Sequence, residues 1–575
     1  MRSKEMDNLC IEKFKELKQY SRLFDWVDRW AKEIPDNIAI IEYNTDTKVT
    51  WKAFATSTKA FAAKLLNMGI KKGDVIATSL PLLKEHIYLM YACFRIGAII
   101  APLDLRLKVG EVERNFEKMQ PTAYFSLGKT EVADFRPILS AMIKKFGCAT
   151  GGPCKLFVQF QKEEDLIVDG AMGIAEFAKD IKKVYILKGI LGGSVKKAQK
   201  LVGKRDPILI IFTTGSTGYP KPALLCSENI LIQNLGLSIA FDLTFKDKMV
   251  VNLPPSHVGC TTEQLATTIF GGGTSIILHI FKPDESLDAV QKYKATALGQ
   301  IPALFSMQWR LPNYKDYDLS TLRFALYAGQ EVTRKFLEQL SGMAKEFGTG
   351  FGLTESAGFA TYSPLDGTVD DILSSVGFDM PLCPISIREP MKSDGSAGDV
   401  KEPGVIGEIC FSGDQIFLGY LNDEENTRKT ISTDDYLYTG DLGHYNDLGL
   451  HFSGRAKLLI KPKGYNVFTI EVEEFIQNKF KSKIGSVAVV GVPHEIFTEA
   501  ILAFVEKIDG STQLSEKEIT EVMGELAAYK RPSHIEILNP GEIPLNRVAK
   551  TDYLLLKEKG LEIVESLRAK NQWDT

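Results

Sequence analysis

The chain contains the stretch Ile208-Leu209-Ile210-Ile211-Phe212-Thr213-Thr214-Gly215-Ser216-Thr217-Gly218-Tyr219-Pro220-Lys221, in which an apolar run precedes a turn rich in hydroxyl groups. The run at 208–211 has the length and β-branched content of a buried strand. In the turn, two glycines let backbone N–H groups approach an anion, the hydroxyls add donors, and the lysine adds a positive charge. No Ser or Thr follows the lysine, so this is not the Walker arrangement. The stretch predicts a phosphate-binding loop after a strand; an ordinary polar loop is the alternative.

Length and composition set limits on the kind of protein. The chain has 575 residues, of which 44% are hydrophobic and 25% charged, enough for several packed cores. A formal net charge of -4 gives no electrostatic reason to expect a nucleic acid partner. Eight cysteines are scattered through the chain, and the spacing of the closest pair, Cys148 and Cys154, fits neither a zinc site nor a redox motif. Reduced thiols in a cytoplasmic protein are the expectation.

Two segments bear on targeting and membranes. The first seven residues carry mixed charge and predict no signal peptide. The most apolar segment, 88–103, is interrupted by Arg95 and is too short to span a bilayer. We interpret it as a core helix leading into a strand. The sequence therefore predicts a soluble protein with no stable membrane insertion, and it leaves the oligomeric state open.

Helical and strand patterns alternate along the first half. Apolar residues recur at helical spacing over 49–68, and short strands are predicted at 75–77 and 98–100 on either side of a helix at 86–96. Short loops between such elements imply parallel strands with helices on both faces. Strands are also predicted at 156–158 and 184–187. A basic cluster precedes the phosphate loop and is interpreted as a solvated face, with a contact to nucleotide phosphates as the alternative: Lys196, Lys197, Lys200, Lys204 and Arg205.

Later clusters carry groups suited to a nucleotide. Tyr327-Ala328-Gly329-Gln330-Glu331 and Gly350-Phe351-Gly352-Leu353-Thr354-Glu355 each follow a predicted strand, where open parallel sheets bind ligands. Phe351 has a flat face for adenine, and the glycines beside it allow backbone to approach the ring. Thr354 can donate to phosphate, and Glu355 offers the carboxylate oxygen that Mg2+ prefers. Asp441 can accept both hydrogen bonds of a ribose diol.

Two further stretches complete the pattern: Gly454-Arg455-Ala456-Lys457-Leu458-Leu459-Ile460-Lys461-Pro462-Lys463-Gly464-Tyr465, and Ile543-Pro544-Leu545-Asn546-Arg547-Val548-Ala549-Lys550. With the loop at 212–221 and the clusters above, they resemble the adenylate-forming superfamily, in its order and over nearly the whole chain. That superfamily includes acyl-CoA synthetases, 4-coumarate–CoA ligases, firefly luciferases and peptide-synthetase adenylation domains. The sequence departs from the family at Phe351, usually tyrosine, and at Ala549, usually glycine.

The resemblance implies an α/β fold: a large N-terminal domain, 1–456, of stacked, mostly parallel sheets flanked by helices, and a small mobile α+β C-terminal domain, 457–575, hinged near Lys457. It implies an ATP-dependent, AMP-forming ligase that makes an acyl-adenylate and pyrophosphate and then passes the acyl group to CoA, with ATP, Mg2+ and CoA required.

The resemblance also assigns roles. Catalytic residues are Lys550, Glu355 (also the metal ligand) and Thr354. ATP and AMP are expected to contact Thr213, Thr214, Gly215, Ser216, Thr217, Gly218, Lys221, Gly329, Gln330, Glu331, Gly350, Phe351, Thr354, Asp441, Arg455, Lys461 and Lys550. The acid is expected to contact His257, Gly329, Ala357, Gly358 and Phe359, and CoA to contact Lys463 and Gly464.

The identity of the acid and of the acceptor stays open. Residues 328–331 are somewhat similar to a pattern of benzoate and related ligases, and the small residues near Phe359 suit an aromatic, alicyclic or short to medium-chain acid. The alternative acceptor is the thiol of a carrier protein. Luciferase chemistry and a non-catalytic nucleotide-binding role are remoter alternatives, and intact Lys550, Glu355 and Asp441 argue against the second.

Overall fold

The computed structural model describes residues 4–213, 220–330, 332–455, 458–460, 462, 467–496, 498–546 and 550–574. These residues form two large, mostly parallel sheets with helices packed against them, an antiparallel sheet, and a smaller C-terminal α+β domain. The prediction of an α/β fold with a large N-terminal and a small C-terminal domain is confirmed. None of the helices in the described part of the chain has the length and apolar composition needed to cross a bilayer.

The first large sheet has seven strands, all paired in parallel except the last pair. Across the sheet, the strands are Glu346–Thr349, Phe324–Tyr327, Ala297–Gln300, Lys248–Val251, Thr274–Ile277, Ile38–Glu42 and Thr47–Thr50. Buried apolar side chains dominate the central strands, as expected for a parallel sheet covered on both faces.

The second large sheet also has seven strands and a single antiparallel pair at one edge. Its order is Met172–Gly173, Leu156–Phe160, Ala123–Leu127, Val75–Ser79, Ile99–Pro102, Pro207–Thr213 and Lys221–Cys226. The antiparallel edge pair consists of the strands on either side of the predicted phosphate loop. The predicted strand at 208–211 is confirmed within 207–213.

The remaining sheets are small. The antiparallel sheet of the N-terminal domain consists of Ile385–Arg388, Gly407–Phe411, Leu437–Asn446 and Gly449–Arg455. Two short hairpins pair Gly352–Leu353 with Gly358–Phe359 and Thr361–Tyr362 with Phe378–Asp379. The C-terminal sheet consists of Ile484–His494, Thr498–Lys507 and His534–Leu538.

Helices cover the sheets and form the connections. The α-helices are Lys4–Gln19, Leu23–Glu33, Trp51–Asn67, Lys84–Ile96, Val109–Met119, Arg136–Phe146, Ile174–Ala178, Ile181–Val184, Ser194–Gln199, Ser227–Ala240, Thr267–Gly271, Pro283–Tyr293, Pro302–Trp309, Arg334–Ser341, Val369–Ser374, Glu424–Thr430, Thr469–Lys479, Glu516–Met523 and Tyr553–Ala569. Two π-helical segments, Tyr185–Leu191 and Gly259–Ala266, continue neighbouring helices. Thr50 caps the helix 51–67 by accepting a hydrogen bond from Ala53 N–H at 3.2 Å.

Two predicted elements differ from the structure. The run Val184-Tyr185-Ile186-Leu187, predicted as a strand, is helical. A short apolar run does not distinguish strand from helix by periodicity, and here burial of Val184 and Gly189 on one side gives helical spacing. The capping-box pattern Ser515-Glu516-Lys517-Glu518 predicts a helix that runs to about Tyr529. Ser515 Oγ does accept a hydrogen bond from Glu518 N–H, but the helix ends at Met523.

Helix 84–96 is buried from His86 to Ile96 and carries two polar side chains into the core. His86 contacts Thr78 Oγ1 and the Pro81 carbonyl at 2.9 and 3.0 Å, so both ring nitrogens have partners inside the core. The fully buried guanidinium of Arg95 donates two hydrogen bonds to Asp28, at 2.8 and 2.9 Å, and one to Thr58. A desolvated charge of this kind is tolerated only with its partners in place.

We therefore expect Arg95→Met to lower the free energy of unfolding by about 2–3 kcal/mol, because the charge-assisted hydrogen bonds to Asp28 are lost and only Lys59, at 2.8 Å, remains to pair with that carboxylate. The matched control is Arg136→Met, which breaks an exposed Arg–Asp pair with Asp134 and should cost less than about 1 kcal/mol. Urea denaturation followed by fluorescence measures both. Equal midpoints for the two variants would contradict the importance of the buried pair.

Candidate active site

A cavity of about 2410 Å³ lies at the carboxyl ends of the parallel strands of the first sheet. Asn252, Ile301, Ala328 and Gly350, which follow four of those strands, line its floor. Open α/β sheets bind ligands at this edge. Residues of the C-terminal domain line the opposite side, so the cavity is shared between domains. A single drug-sized ligand fills about 300–1,000 Å³, so this cavity has room for more than one ligand.

Lys550 enters this cavity from the C-terminal domain. A Cβ atom placed on Gly329 would lie 3.4 Å from Lys550 Cε and 3.6 Å from Nζ, so the amino group lies against the backbone that follows strand 324–327. The position of Lys550 is fixed by its own loop: its N–H donates to Asn546 Oδ1 at 3.1 Å, and its carbonyl accepts from Asn546 N–H at 2.7 Å. These two hydrogen bonds to Asn546 hold the backbone of Lys550 and so limit where its amino group can lie.

The environment of Lys550 changes its proton affinity. Burial lowers the pKa of Lys550 to about 8; the nearby charge of Arg455 adds to this shift and that of Asp441 opposes it. The ammonium group of Lys550 is therefore partly desolvated, and the negative charge of Asp441 only partly offsets the effects of burial and of Arg455. An anionic ligand between Gly329 and Asp441 would restore the missing interactions.

Asp441 and Arg455 face each other across the antiparallel hairpin 437–455. Arg455 Nε lies 3.1 Å from Asp441 Oδ1, yet this buried oxygen receives no hydrogen bond with proper geometry from any residue that the structure describes. Burial raises the pKa of Asp441 to about 6, against the lowering effects of Arg455 and Lys550. A buried acceptor without a donor is costly, and a ribose diol would supply the donors.

Phe351 lines the cavity and packs against two other aromatic rings, with centroid distances of 5.8 Å to Phe411 and 5.9 Å to Phe452. The glycines beside it, Gly350 and Gly352, were expected to let backbone approach adenine, but the structure requires them for close contacts within the protein. A Cβ on Gly350 would lie 2.3 Å from the Thr361 carbonyl oxygen, and one on Gly352 would lie 2.0 Å from that of Gly358. The glycines thus allow two backbones to cross, which holds Phe351 at the cavity wall.

Glu355 lines the cavity directly after Thr354, in a short 3-10 turn. Its Oε1 accepts a hydrogen bond of 2.6 Å from the hydroxyl of Tyr420, and Lys221 Nζ lies 5.1 Å from the centre of the Tyr420 ring. Burial and the negative charge of Glu355 raise the pKa of Tyr420 above its usual range, so this hydroxyl stays a donor. Tyr420 therefore fixes one oxygen of Glu355 in the cavity wall.

The donor set fits Mg2+ bound mainly through a nucleotide. Among the described residues, no cluster of three His, Cys, Asp or Glu side chains could hold a metal by itself. Glu355 Oε2 has no hydrogen-bond partner in the described part of the chain, and Mg2+ commonly takes one or two carboxylates plus phosphate oxygens.

The proposed acid-binding residues occupy one side of the cavity. His257, Gly329, Gly358 and Phe359 line it, whereas Ala357 is fully buried and is not part of the wall. Burial lowers the pKa of His257 to about 4, so the imidazole is neutral near pH 7. The helical segment from 259 to 271 contributes Gly259, Glu263 and Gln264 to the wall on this side.

Glu263 is a titratable group that sequence reasoning did not select. It lies on the π-helical segment 259–266, lines the cavity, and accepts a hydrogen bond of 2.8 Å from Phe359 N–H. Its carboxyl group packs against Gly358, where a Cβ would come within 2.6 Å of Oε1. Burial raises the pKa of Glu263 to about 7. The wall near the acid thus contains a carboxyl group that is partly protonated at neutral pH.

The structure brings most of the described candidates to this one cavity. The lining includes Thr213, Lys221, His257, Gly329, Gln330, Gly350, Phe351, Thr354, Glu355, Gly358, Phe359, Asp441, Arg455 and Lys550. Ten predicted residues lie outside the described part of the chain: Thr214, Gly215, Ser216, Thr217, Gly218, Glu331, Lys457, Lys461, Lys463 and Gly464.

Besides Glu263, sequence reasoning missed three contributors. Tyr420 follows Gly419 in a segment without a recognised pattern, and Asp104 and Arg106 line the cavity mouth and pair at 2.5 Å. Asp104 Oδ1 also accepts from Arg106 N–H at 2.9 Å. The Asp-x-Arg spacing after the strand 99–102 was the available signal, because side chains at the carboxyl end of a parallel strand are candidates for ligand contact.

Curated relatives match along almost the whole chain. It is 27% identical to the indoleacetate–CoA ligase of Aromatoleum aromaticum over 538 residues, covering 92% of this chain and 97% of the relative. It is 25% identical to the medium-chain fatty-acid–CoA ligase of Escherichia coli over 541 residues, covering 93% of this chain and 90% of the relative.

Solved structures share the fold. The ATP-bound MatB of Rhodopseudomonas palustris superposes with a TM-score of 0.76 at 22% identity, covering 94% of this chain and 99% of that one. A fatty acyl CoA synthetase of Mycobacterium tuberculosis gives a TM-score of 0.71 at 23% identity, covering 94% of this chain and 98% of that one.

Two family models together match most of the chain. The AMP-binding enzyme model matches residues 27–421, and the model of the AMP-binding enzyme C-terminal domain matches residues 471–550. The first match contains the strand edge that forms the cavity floor, and the second ends at Lys550. This protein belongs to the family of AMP-binding enzymes, the adenylate-forming superfamily.

Proposed function

We propose that the protein is an acyl-CoA synthetase, which activates an organic carboxylic acid with ATP to acyl-AMP and pyrophosphate and then transfers the acyl group to CoA. The observation that carries the proposal is the amino group of Lys550, seated against Gly329 in a cavity that also holds Asp441 and Glu355. The relatives named as CoA ligases support the choice of acceptor.

The first step exchanges one phosphorus–oxygen bond for another. A carboxylate oxygen of the acid attacks the α-phosphorus of ATP, the bond from that phosphorus to the bridging oxygen breaks, and pyrophosphate leaves with the electron pair. Charge gathers on the oxygens around phosphorus, so positioning and electrostatic stabilisation supply most of the catalysis. In this proposal the ammonium of Lys550 meets the carboxylate and the α-phosphate.

Other residues orient the nucleotide. Asp441 receives the ribose diol, Arg455 adds a positive charge beside it, and Phe351 offers its face to adenine. The phosphate loop and Lys221 hold the β- and γ-phosphates. Mg2+, when bound, neutralises phosphate charge; Glu355 would hold it, oriented by the hydrogen bond from Tyr420.

The second step requires the C-terminal domain to move. The acyl carbon of acyl-AMP must be reached by the thiol of CoA, while Lys550 in its present position closes this side of the cavity. Rotation about Lys457 withdraws Lys550 and opens a path for CoA beside Lys463 and Gly464. The carbon–sulfur bond then forms and AMP leaves as the carbon–oxygen bond breaks.

The acid side of the cavity suits a compact ring or a short to medium chain. His257 is neutral at pH 7, which removes a competing charge from the wall. The relatives named for indoleacetate and for medium-chain fatty acids fall within this range of shapes. The proposal includes a cytoplasmic location, which the eight free thiols favour.

The proposal predicts AMP and pyrophosphate release that needs ATP, Mg2+, CoA and an organic acid together. A panel of aromatic, alicyclic and linear acids, assayed by coupled detection of AMP, measures it and ranks the acids. ATP–pyrophosphate exchange without CoA isolates the first step. Exchange followed by release only with a carrier-protein thiol would replace the proposed acceptor, and no exchange with any acid would contradict the function.

Lys550→Ala should lower the rate of adenylate formation by about 10²–10³-fold, because a preorganised charge at the reacting phosphoryl group is lost. Capture of a supplied acyl-adenylate by CoA should change less than about threefold, since Lys550 has left the site for that step. The matched control is Lys559→Ala, an exposed lysine of the same domain away from the cavity. Equal loss of both half-reactions would contradict the role.

The pH profile follows from the pKa of Lys550, which is lowered to about 8. Below this pH Lys550 is charged; above it, kcat/KM for ATP in adenylation should fall, approaching tenfold per pH unit, because kcat/KM reports the free enzyme. Lys550→Arg should be slower but lack this decline, since guanidinium stays protonated. A wild-type profile flat to pH 10 would contradict the assignment.

A further inference from the structure

The helical segment 181–191 carries a dense group of exposed apolar side chains. Ile186, Leu187, Ile190 and Leu191 have relative exposures between 49% for Leu187 and 75% for Leu191. Elsewhere in the described part of the chain, no stretch of six residues holds more than two exposed large apolar side chains. Positions four or five apart lie on one side of a helix, so these four residues share a face. A contiguous exposed apolar face marks an interaction surface.

This face is held outward by the rest of the segment. Val184 and Gly189 are buried on the opposite side, and a Cβ on Gly189 would lie 3.2 Å from Ala63 Cβ on helix 51–67. An ion pair between Lys64 and Asp180 fixes the start of the segment. The apolar face is therefore part of an anchored element, with its other side already used for packing.

The stretch that carries the face is basic, and the acidic residues that border it are both paired, Asp180 with Lys64 and Asp206 with Lys72. Residues 181–205 contain eight Lys and Arg residues and no Asp or Glu, in a chain whose net charge is -4. Six lysines of this stretch are exposed, and none has an ion-pair partner among the described residues: Lys182, Lys183, Lys188, Lys196, Lys197 and Lys200. By contrast, Lys204 and Arg205 both pair with Glu228. We call the four apolar residues and these six lysines the 181–200 patch.

The apolar face and the unpaired lysines together indicate which kind of partner the 181–200 patch binds. A second copy of the chain would bring two sets of unpaired lysines together in a symmetric contact, which like-charge repulsion opposes. An anionic lipid bilayer satisfies both features, since apolar side chains enter the acyl boundary while lysines reach the headgroup phosphates. Each basic residue near such a surface adds to binding, and salt weakens that part.

We propose that the 181–200 patch docks the protein reversibly on the surface of an anionic lipid bilayer. The side chains enter the interface, about 5–10 Å deep, rather than crossing the membrane. The patch is separate from the catalytic cavity, because none of its ten residues lines that cavity. Docking therefore leaves the rate of the proposed reaction with water-soluble acids unchanged. It changes only the location of the protein, which is held at the bilayer surface.

The test is flotation of the purified full-length protein with two kinds of vesicle. One contains phosphatidylcholine alone, and the other contains phosphatidylcholine with about 30% phosphatidylglycerol. We expect binding to the anionic vesicles at low salt that falls at least fivefold at about 0.5 M NaCl. Ile190→Ser/Leu191→Ser should lower the partition coefficient at least tenfold. The matched control, Val132→Ser/Leu448→Ser, removes two equally exposed apolar side chains elsewhere and should bind as the wild type does.

A charge variant separates the two contributions. Lys196→Gln/Lys197→Gln should weaken binding to anionic vesicles and flatten its salt dependence, while Lys144→Gln/Lys155→Gln, two exposed lysines outside the patch, should not. Unchanged thermal midpoints and unchanged AMP release with a soluble acid show that the variants are folded. Absence of wild-type binding, equal loss in patch and control variants, or a dimer abolished by Ile190→Ser/Leu191→Ser in the absence of lipid would each overturn the proposal.

Discussion

The site depends on one positive charge kept partly out of water. Lys550 reaches across the domain boundary to Gly329, and the interactions available there leave its ammonium under-compensated, which lowers its pKa to about 8. A charge in this state favours an anion more strongly than a hydrated lysine does, because little water must be displaced when the anion arrives. Asp441 is the corresponding acidic group: its buried Oδ1 lacks a hydrogen-bond donor among the described residues, and burial raises its pKa to about 6. Each of the two groups thus lacks interactions that the proposed nucleotide would supply.

The architecture that supports this arrangement could be predicted to a large extent. Alternating strand and helix patterns in the first half predicted the parallel sheets, and the strands ending before Ala328 and Gly350 indicated the sheet edge that lines the cavity. Those predictions succeeded because apolar periodicity and strand-end chemistry are local properties of sequence. The roles of Lys550 and Arg455 came from resemblance, since nothing local distinguishes a catalytic lysine from a solvated one.

What sequence reasoning missed depends on contacts between distant parts of the chain. Tyr420 matters because it lies 2.6 Å from Glu355, 65 residues earlier, and Glu263 matters because the fold closes around it at Phe359. The glycines at 350 and 352 were explained by access to adenine, whereas the crossing of two backbones requires them. The strand predicted at 184–187 failed for a related reason: only packing against helix 51–67 shows which side of that run is buried.

The hairpin 437–455 has a consequence for timing. The residue proposed to read the sugar, Asp441, is paired with Arg455, which stands two positions before the proposed pivot at Lys457. A ribose bound to Asp441 would restrain the strand that leads to the proposed pivot, and release of the nucleotide would remove that restraint. Nucleotide release and domain rotation would then be coupled through this one cross-strand pair.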